Sequence, residues 1–248
     1  MKIRNEAALV TGASKGLGRA LAKALAREGA RVVLVARNAK DLDEVVREIK
    51  TGGGEAHALA FDVGDKEAVH RIAGAAAALV GTPRIVIHNA STLGPLPMPL
   101  LLDTECEDFQ HVLDVNLVGP FRLTKALLGP LLVDARERKT GGVFLFVSSD
   151  AAVSAYARWG AYGISKAAQD HLARTLAAEN EGVRFFSVDP GEMDTTMHAD
   201  AIPDADPATL AQPSDVADRL VTIVLRAESI ENGSRLLASD FGPKEVAA

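Results

Sequence analysis

Residues 7–18 read AALVTGASKGLG. An apolar run of the kind that forms a strand buried on both faces stops in TGASKGLG, a turn with three glycines in eight residues. Glycine weakens strands and helices alike, so three so close together meet a need that a side chain would obstruct. Past the turn, Leu17, Leu21, Ala24 and Leu25 recur at helical spacing over residues 17–28. Strand, turn and helix in that order make a backbone cradle. Gly12 forms the tight turn, Gly16 lets a phosphate approach the main chain, and Gly18 lets the helix lie close to the sheet; Ser14, Lys15 and Leu17 complete the lining. The helix N-terminus offers free N–H groups and partial positive charge to a pyrophosphate. The spacing is G-x-x-x-G-x-G, not the usual G-x-G-x-x-G dinucleotide fingerprint, and the G-K-[ST] ending of a nucleoside-triphosphate loop is absent.

The same alternation runs to the end of the chain. After AALVT (7–11) come RVVLVA (31–36), AHALAF (56–61), RIVIHN (84–89), VFLFVSS (143–149), VRFFSVD (183–189) and SRLLAS (234–239), separated by helical patterns. This predicts one α/β domain over residues 1–248: a Rossmann-like, doubly wound parallel sheet of about seven strands with helices on both faces. Two stretches break the pattern, LGPLPMP (93–99) and residues 192–213. Each follows the carboxyl end of a strand, where open α/β sheets bind ligands, and the second reads as a mobile substrate loop.

Composition narrows the classes. Hydrophobic residues make up 48% of 248, enough for a large core. A formal net charge of -6 without a basic cluster argues against nucleic acid as the main partner. Cys106 is the sole cysteine, which excludes an intramolecular disulfide and a C-x-x-C metal site. No signal peptide and no apolar stretch of membrane-spanning length is apparent, so the expected compartment is the cytoplasm and no membrane partner is expected.

The second strand separates the two nicotinamide cofactors. An acidic residue at its end holds the ribose hydroxyls of NAD. Here Ala36 ends the strand and Arg37 follows. A guanidinium grips a 2′-phosphate with paired hydrogen bonds where a carboxylate would repel it. With Lys15 in reach of the same phosphate, the sequence favours NADP over NAD. Asp62, with Val63 after the third strand, either accepts from the adenine amino group or caps the next helix.

The chemistry sits further on. AYGISKAAQDHLARTLAAE (161–179) reads as a helix carrying Tyr162 and Lys166, one turn apart on one face. An ammonium about 4 Å from a phenol, at an effective dielectric of about 20, favours the phenolate by roughly 4 kcal/mol. That is about three pKa units, which would bring a tyrosine near neutrality as a general acid or base. Ser148 and Ser149 end the fifth strand, and alternation lets only one of them face a substrate. Asn116 interrupts an apolar helical pattern (109–128). Pro120 has no N–H to give the carbonyl of residue 116, which is thereby left free to hold a water on a proton path beside Lys166.

The ordered set TGASKGLG, HNAS (88–91), Asn116, Ser149, YGISK (162–166) and DPGEMDT (189–195) resembles the short-chain dehydrogenase/reductase family across essentially the whole chain. The resemblance implies hydride transfer between NAD(P) and a carbonyl or alcohol, in a homodimer or homotetramer. It implies Ser149, not Ser148, on the substrate oxygen, Tyr162 as acid/base, Lys166 tuning the tyrosine and holding the nicotinamide ribose, and Asn116 anchoring a relay water. It places Asn89 and Ala90 on the adenosine side and central strand, the Pro190-Gly191 turn past the nicotinamide, and Thr195 near its phosphate or carboxamide. The chain departs from the family's Asn-Asn-Ala-Gly in His88-Asn89-Ala90-Ser91, and SRLLASDFGP (234–243) lacks the Asp-Gly-Gly finish of many relatives. His88, ending an apolar strand, reads as structural. Ser91, Leu93, Pro95, Tyr156, Trp159, Met193 and Met197 are expected around the substrate. The reading is an NADP-dependent carbonyl reductase or alcohol dehydrogenase. The alternatives are a 3-oxoacyl thioester reductase, which the acidic 192–213 stretch disfavours, and a non-catalytic NADP-sensing protein, disfavoured because all four catalytic residue types are present.

Overall fold

The computed structural model describes residues 1–138 and 140–242 of the chain, so the last residue of SRLLASDFGP lies outside the described residues. Among the described residues, seven strands form one sheet: β1 (Ala7–Thr11), β2 (Arg31–Ala36), β3 (Glu55–Ala60), β4 (Ile85–His88), β5 (Val143–Val147), β6 (Arg184–Asp189) and β7 (Arg235–Leu237). Their order is β3-β2-β1-β4-β5-β6-β7, and every pairing is parallel. The helices are α1 (Gly16–Arg27), α2 (Ala39–Thr51), α3 (Ala68–Val80), α4 (Cys106–Leu113), α5 (Gly119–Arg138), α6 (Gly160–Glu179), α7 (Thr196–Ala201) and α8 (Pro213–Arg226). The expected doubly wound sheet is present.

Alternation along the strands sorts the core into two layers. Ala8, Val10, Val32, Leu34, Ile85, Ile87 and Leu145 pack under α1, α2 and α8. Leu9, Val33, Val35, Val86, Phe144, Phe146 and Phe185 pack under α3, α5 and α6. Because both faces are covered, the strands carry no polar side, which is why they read as continuous apolar runs. The chain winds outward from β1 to β3, then returns to place β4 on the other side of β1. The reversal opens a crevice at the carboxyl ends of β1 and β4.

Two expectations need correction. The stretch 109–128 is not one helix: α4 runs into a π-helical turn, Asp114–Val118, and then into α5. Pro120 is the physical cause, since it cannot supply the α-helical donor to residue 116. Residues 192–213 are not a plain loop either. Thr195 Oγ1 accepts from the His198 amide at 3.2 Å and caps α7, Asp206 caps a 3-10 turn at Pro207–Thr209, and Met193 bridges to Ala211. The caps use the same small polar residues that made the stretch read as loop.

Two glycines mark opposite limits of tolerance. A Cβ at Gly18 would collide with the Gly12 carbonyl and lie 2.5 Å from Asn89 Nδ2, whereas one on exposed Gly74, inside α3, meets nothing within 4 Å. Urea unfolding should therefore show Gly18→Ala destabilised by roughly 1–3 kcal/mol and Gly74→Ala stabilised by about 1 kcal/mol.

Candidate active site

The carboxyl ends of β1, β4, β5 and β6 wall a cleft of about 820 Å³. Its lining includes Gly12, Lys15, Gly16, Leu17, Arg37, Asn89, Ala90, Ser149, Tyr162, Lys166, Pro190, Gly191 and Thr195, so most residues singled out by sequence meet in one place. Ser14, Gly18, Asp62, Val63 and Asn116 do not form its wall. Gly18 and Asn116 stand directly behind it, as support. Asp62 spends Oδ1 on the Gly64 amide at 2.9 Å, four residues before α3 begins at Ala68, so the structure makes it neither a helix cap nor a wall of the cleft.

The glycine turn is built for close approach. A Cβ on Gly12 would lie 2.8 Å from the Ala90 Cα, and one on Gly16 3.2 Å from Thr195 Cγ2. Asn89 Nδ2 donates to the carbonyls of Thr11 at 3.0 Å and Gly12 at 3.2 Å, clamping β1 to β4. The first turn of α1 carries no acidic residue, and no side chain caps it. Its amides are thus open to an anion. Arg37 is exposed beyond β2, while Lys15 Nζ sits 3.6 Å from Asp41 Oδ2, a pair too exposed to hold it firmly. These features fit a dinucleotide phosphate, with Arg37 rather than Lys15 as the cation free of a carboxylate among the described residues.

The side chains expected to be catalytic converge from α6 and the segment after β5. Gly163 lets α6 approach: a Cβ there would stand 2.8 Å from the Ala151 carbonyl. This sets Tyr162 beside the Ser149 turn, with Lys166 behind it. Lys166 is 1% exposed; its Nζ donates to the Val147 carbonyl at 2.7 Å and lies 5.5 Å from the centre of the Tyr162 ring. Ser149 Oγ donates to Asp150 Oδ1 at 2.9 Å, and Asp150 Oδ2 accepts from the Tyr156 hydroxyl at 2.8 Å. Ser148 is buried with no partner for its hydroxyl among the described residues.

Asn116 is a knot rather than a cleft residue. Its Oδ1 accepts from the Thr92 amide at 2.8 Å and Ser91 Oγ at 3.2 Å. Its Nδ2 donates to the Thr92 carbonyl and to Ser165 Oγ, both at 2.9 Å. Its carbonyl, expected to be free, accepts from Gln169 Nε2 at 2.7 Å. The expectation of a carbonyl left open for a water is corrected accordingly.

Sequence reasoning missed Gln169, Asp150 and Arg235. Arg235 Nε donates to Asp170 at 3.0 Å, while NH2 donates to Asp189 and to the Ser149 carbonyl, both at 2.9 Å. This fork pins the Ser149 backbone to β6 and α6. Its signal in the sequence was one arginine inside SRLLAS, distinguishable only once the partners are known. His88 is structural, as expected: Nε2 pairs with Thr124 Oγ1 at 2.9 Å, the ring stacks on Phe146, and burial pushes its pKa down to about 3.

The tyrosine's acidity differs from expectation. Burial pushes Tyr162 up to about 12, reinforced by Asp150 and Asp189, while hydrogen bonding from Ser149 and Ser91 pulls the other way. Burial also lowers Lys166 to about 8, opposed by Asp170. In the free protein the ammonium is spent on the Val147 carbonyl and the ring face rather than on the phenol oxygen, so its pull does not offset the tyrosine's desolvation. Tyr162 is thus held in its protonated form. The substrate side is apolar: Leu93, Met98, Ala151 and Tyr162 cluster with Trp159 and Met197. Of the residues expected there, Ser91, Tyr156 and Met193 also line the cleft, whereas Pro95 does not. No helix among the described residues is long and apolar enough to cross a membrane.

A family model described as short chain dehydrogenase matches residues 6–206. An uncharacterized oxidoreductase of Escherichia coli K12, YciK, is 36% identical over 219 residues, covering 84% of this chain and 81% of that protein. The 7alpha-hydroxysteroid dehydrogenase of the same strain is 29% identical over 257 residues, covering 99% and 97%. A short chain dehydrogenase of E. coli CFT073, solved in complex with NADPH, superposes with a TM-score of 0.84 at 31% identity, covering 96% and 98%.

The depressed Lys166 has a thermodynamic consequence. A lysine whose folded pKa is about 8 against 10.5 for the free side chain leaves the unfolded chain holding more protons between those values, so stability rises with pH across that window. The span corresponds to roughly 3 kcal/mol. Urea unfolding at pH 7 and pH 11 should show that rise in the wild type relative to Lys166→Met, which has no such proton to lose.

Proposed function

The chain belongs to the short chain dehydrogenase family, and on that premise we propose that it is an NADP-dependent oxidoreductase, a carbonyl reductase or alcohol dehydrogenase acting on a ketone, an aldehyde or a secondary alcohol. The observation that carries the reading is the convergence of Ser149, Tyr162 and Lys166 in the cleft that the glycine turn and Arg37 also line. NADP, when bound, supplies or accepts the hydride. The uncapped N-terminus of α1 and the turn Gly12–Gly16 would hold its pyrophosphate, Arg37 its 2′-phosphate, and Lys166 its nicotinamide ribose.

The protein's own share is proton management and orientation. Ser149 directs its hydroxyl to the substrate oxygen, with Asp150 as the acceptor that holds the hydroxyl in place beforehand. Tyr162, kept protonated by burial, gives its proton to the developing alkoxide in reduction and retrieves one in oxidation. The apolar wall around Trp159 and Met197 favours a small or medium hydrophobic substrate. Asp150, Glu192 and Asp200 border the same end of the cleft, a charge that suits neutral compounds better than anionic thioesters carried on phosphopantetheine.

The test is oxidation of NADPH and NADH, followed by nicotinamide absorbance, over 3-oxoacyl thioesters, diketones, aromatic aldehydes, ketosteroids and free sugars. Turnover with NADPH that falls at least about a hundredfold in Tyr162→Phe is expected. Tight NADPH binding without turnover of any compound would instead favour the sensor reading. Arg37→Ala should weaken NADPH by about ten- to a hundredfold, the worth of charge-assisted hydrogen bonds, and leave NADH nearly unaffected; a wild-type preference for NADH would overturn the Arg37 argument alone.

A further inference from the structure

The carbonyl of Asn116 and the ammonium of Lys166 are bridged by protein. Gln169 Nε2 donates to the carbonyl at 2.7 Å and Gln169 Oε1 accepts from Lys166 Nζ at 3.4 Å. Lys166 is 1% exposed, and Asn116 and Gln169 are fully buried. The carbonyl is available because Pro120 and the π-helical turn Asp114–Val118 take away its α-helical donor. Gln169 reaches both groups because it stands three residues beyond Lys166, on the same face of α6. A carboxamide is suited to this position, since one end accepts and the other donates. It is also unlike a water, which can take a proton on one side and release one on the other. A carboxamide does so only through an unstable imidic acid form.

We propose that Gln169 is a positioning residue that substitutes for the relay water between Lys166 and Asn116: it fixes the ammonium under Tyr162 and closes that route to protons, which then exchange with solvent from the cleft side. The proposal rests on the reading of Tyr162 and Lys166 as the acid/base pair. The groups around the ammonium are the Val147 carbonyl from β5, the Tyr162 ring and Asp170 from α6, and, through Arg235, Asp189 from β6. Gln169 adds the link from the ammonium to the Asn116 carbonyl, beside the Asn116–Ser165 bond that also ties α6 to the π-helical turn.

Two substitutions separate this role from packing. Gln169→Met keeps the volume and removes both hydrogen bonds, orphaning the ammonium on that side and the carbonyl. Gln169→Ala opens a polar space with room for a water that can bond both groups. Positioning predicts that Ala outperforms Met; simple packing predicts the reverse. The first readout needs neither cofactor nor substrate. In the free protein carrying 13Cε-labelled lysine, with the Lys166 resonance assigned by its loss in Lys166→Met, the Lys166 midpoint in Gln169→Met should fall by about one unit below its wild-type value. In Gln169→Ala it should stay nearer the wild-type value. The second readout uses whichever panel compound is turned over: kcat should drop about tenfold in Gln169→Met and less in Gln169→Ala, with KM for NADPH unchanged in both. An unchanged Lys166 midpoint in Gln169→Met overturns the proposal, as does a Met variant more active than Ala. If no panel compound is turned over, the proposed oxidoreductase function fails, while the lysine titration still decides the role of Gln169.

Discussion

The site depends on a positive charge held inside the protein. Lys166 brings an ammonium into the interior, where desolvation costs several kcal/mol unless polar atoms replace the lost water. The replacements are the Val147 carbonyl at the end of β5 and, from α6 itself, the Gln169 amide and the face of the Tyr162 ring. Each fixes a piece of the site. The bond to Val147 sets the depth at which α6 lies on the sheet and so places Tyr162 against the Ser149 turn. The Gln169 amide connects α6 to Asn116 and through it to Ser91 and Thr92, which follow β4. One buried lysine thereby coordinates the ends of β5 and β4, which are distant in sequence.

A second constraint is steric and acts at the reversal of strand order. β1 and β4 end side by side, and Thr11 Oγ1 accepts from the amides of both Asn89 and Ala90, at 3.0 and 3.1 Å. The two backbones come too close for a side chain at Gly12 or Gly18. The glycines are thus required by the protein's own packing before any phosphate is considered. A cradle whose shape is set by the clamp between two central strands needs little reorganisation to receive an anion.

What the sequence made legible follows from how local each signal was. Buried parallel strands and amphipathic helices announce themselves by periodicity, and all seven strands lie within a residue or two of their apolar runs. AHALAF is displaced by one residue, as Glu55 pairs with Arg31 at the exposed start of the edge strand. The glycine turn and the Tyr-x-x-x-Lys spacing were readable because each is a short contiguous motif. Gln169, Asp150 and Arg235 were not, because their meaning lies in partners between one and 86 residues away. The freed carbonyl at Asn116 is the instructive case. Pro120 was read correctly as removing a donor, but no local rule says which group takes its place. The tyrosine's pKa failed for a similar reason: a pairwise Coulomb estimate at helical spacing contains neither the burial of both partners nor the carbonyl that claims the ammonium.

The proposed chemistry also explains why the cleft is charged unevenly. At one end are Arg37, the exposed Lys15 and the uncapped amides of α1. At the other, Asp150, Glu192 and Asp200 face an apolar wall of Leu93, Trp159 and Met197. A dinucleotide carrying several negative charges meets attraction at one end and repulsion at the other, so the field orients it before contact. A neutral carbonyl compound feels little of that field and enters by apolar burial instead. Asp150 adds a further effect, since its carboxylate accepts from the Ser149 hydroxyl and raises the cost of ionising Tyr162. The acidic end therefore disfavours phosphate, and through Asp150 it adds to the burial that holds the Tyr162 proton, so one carboxylate bears on both the charge of the cleft and the acidity of the tyrosine.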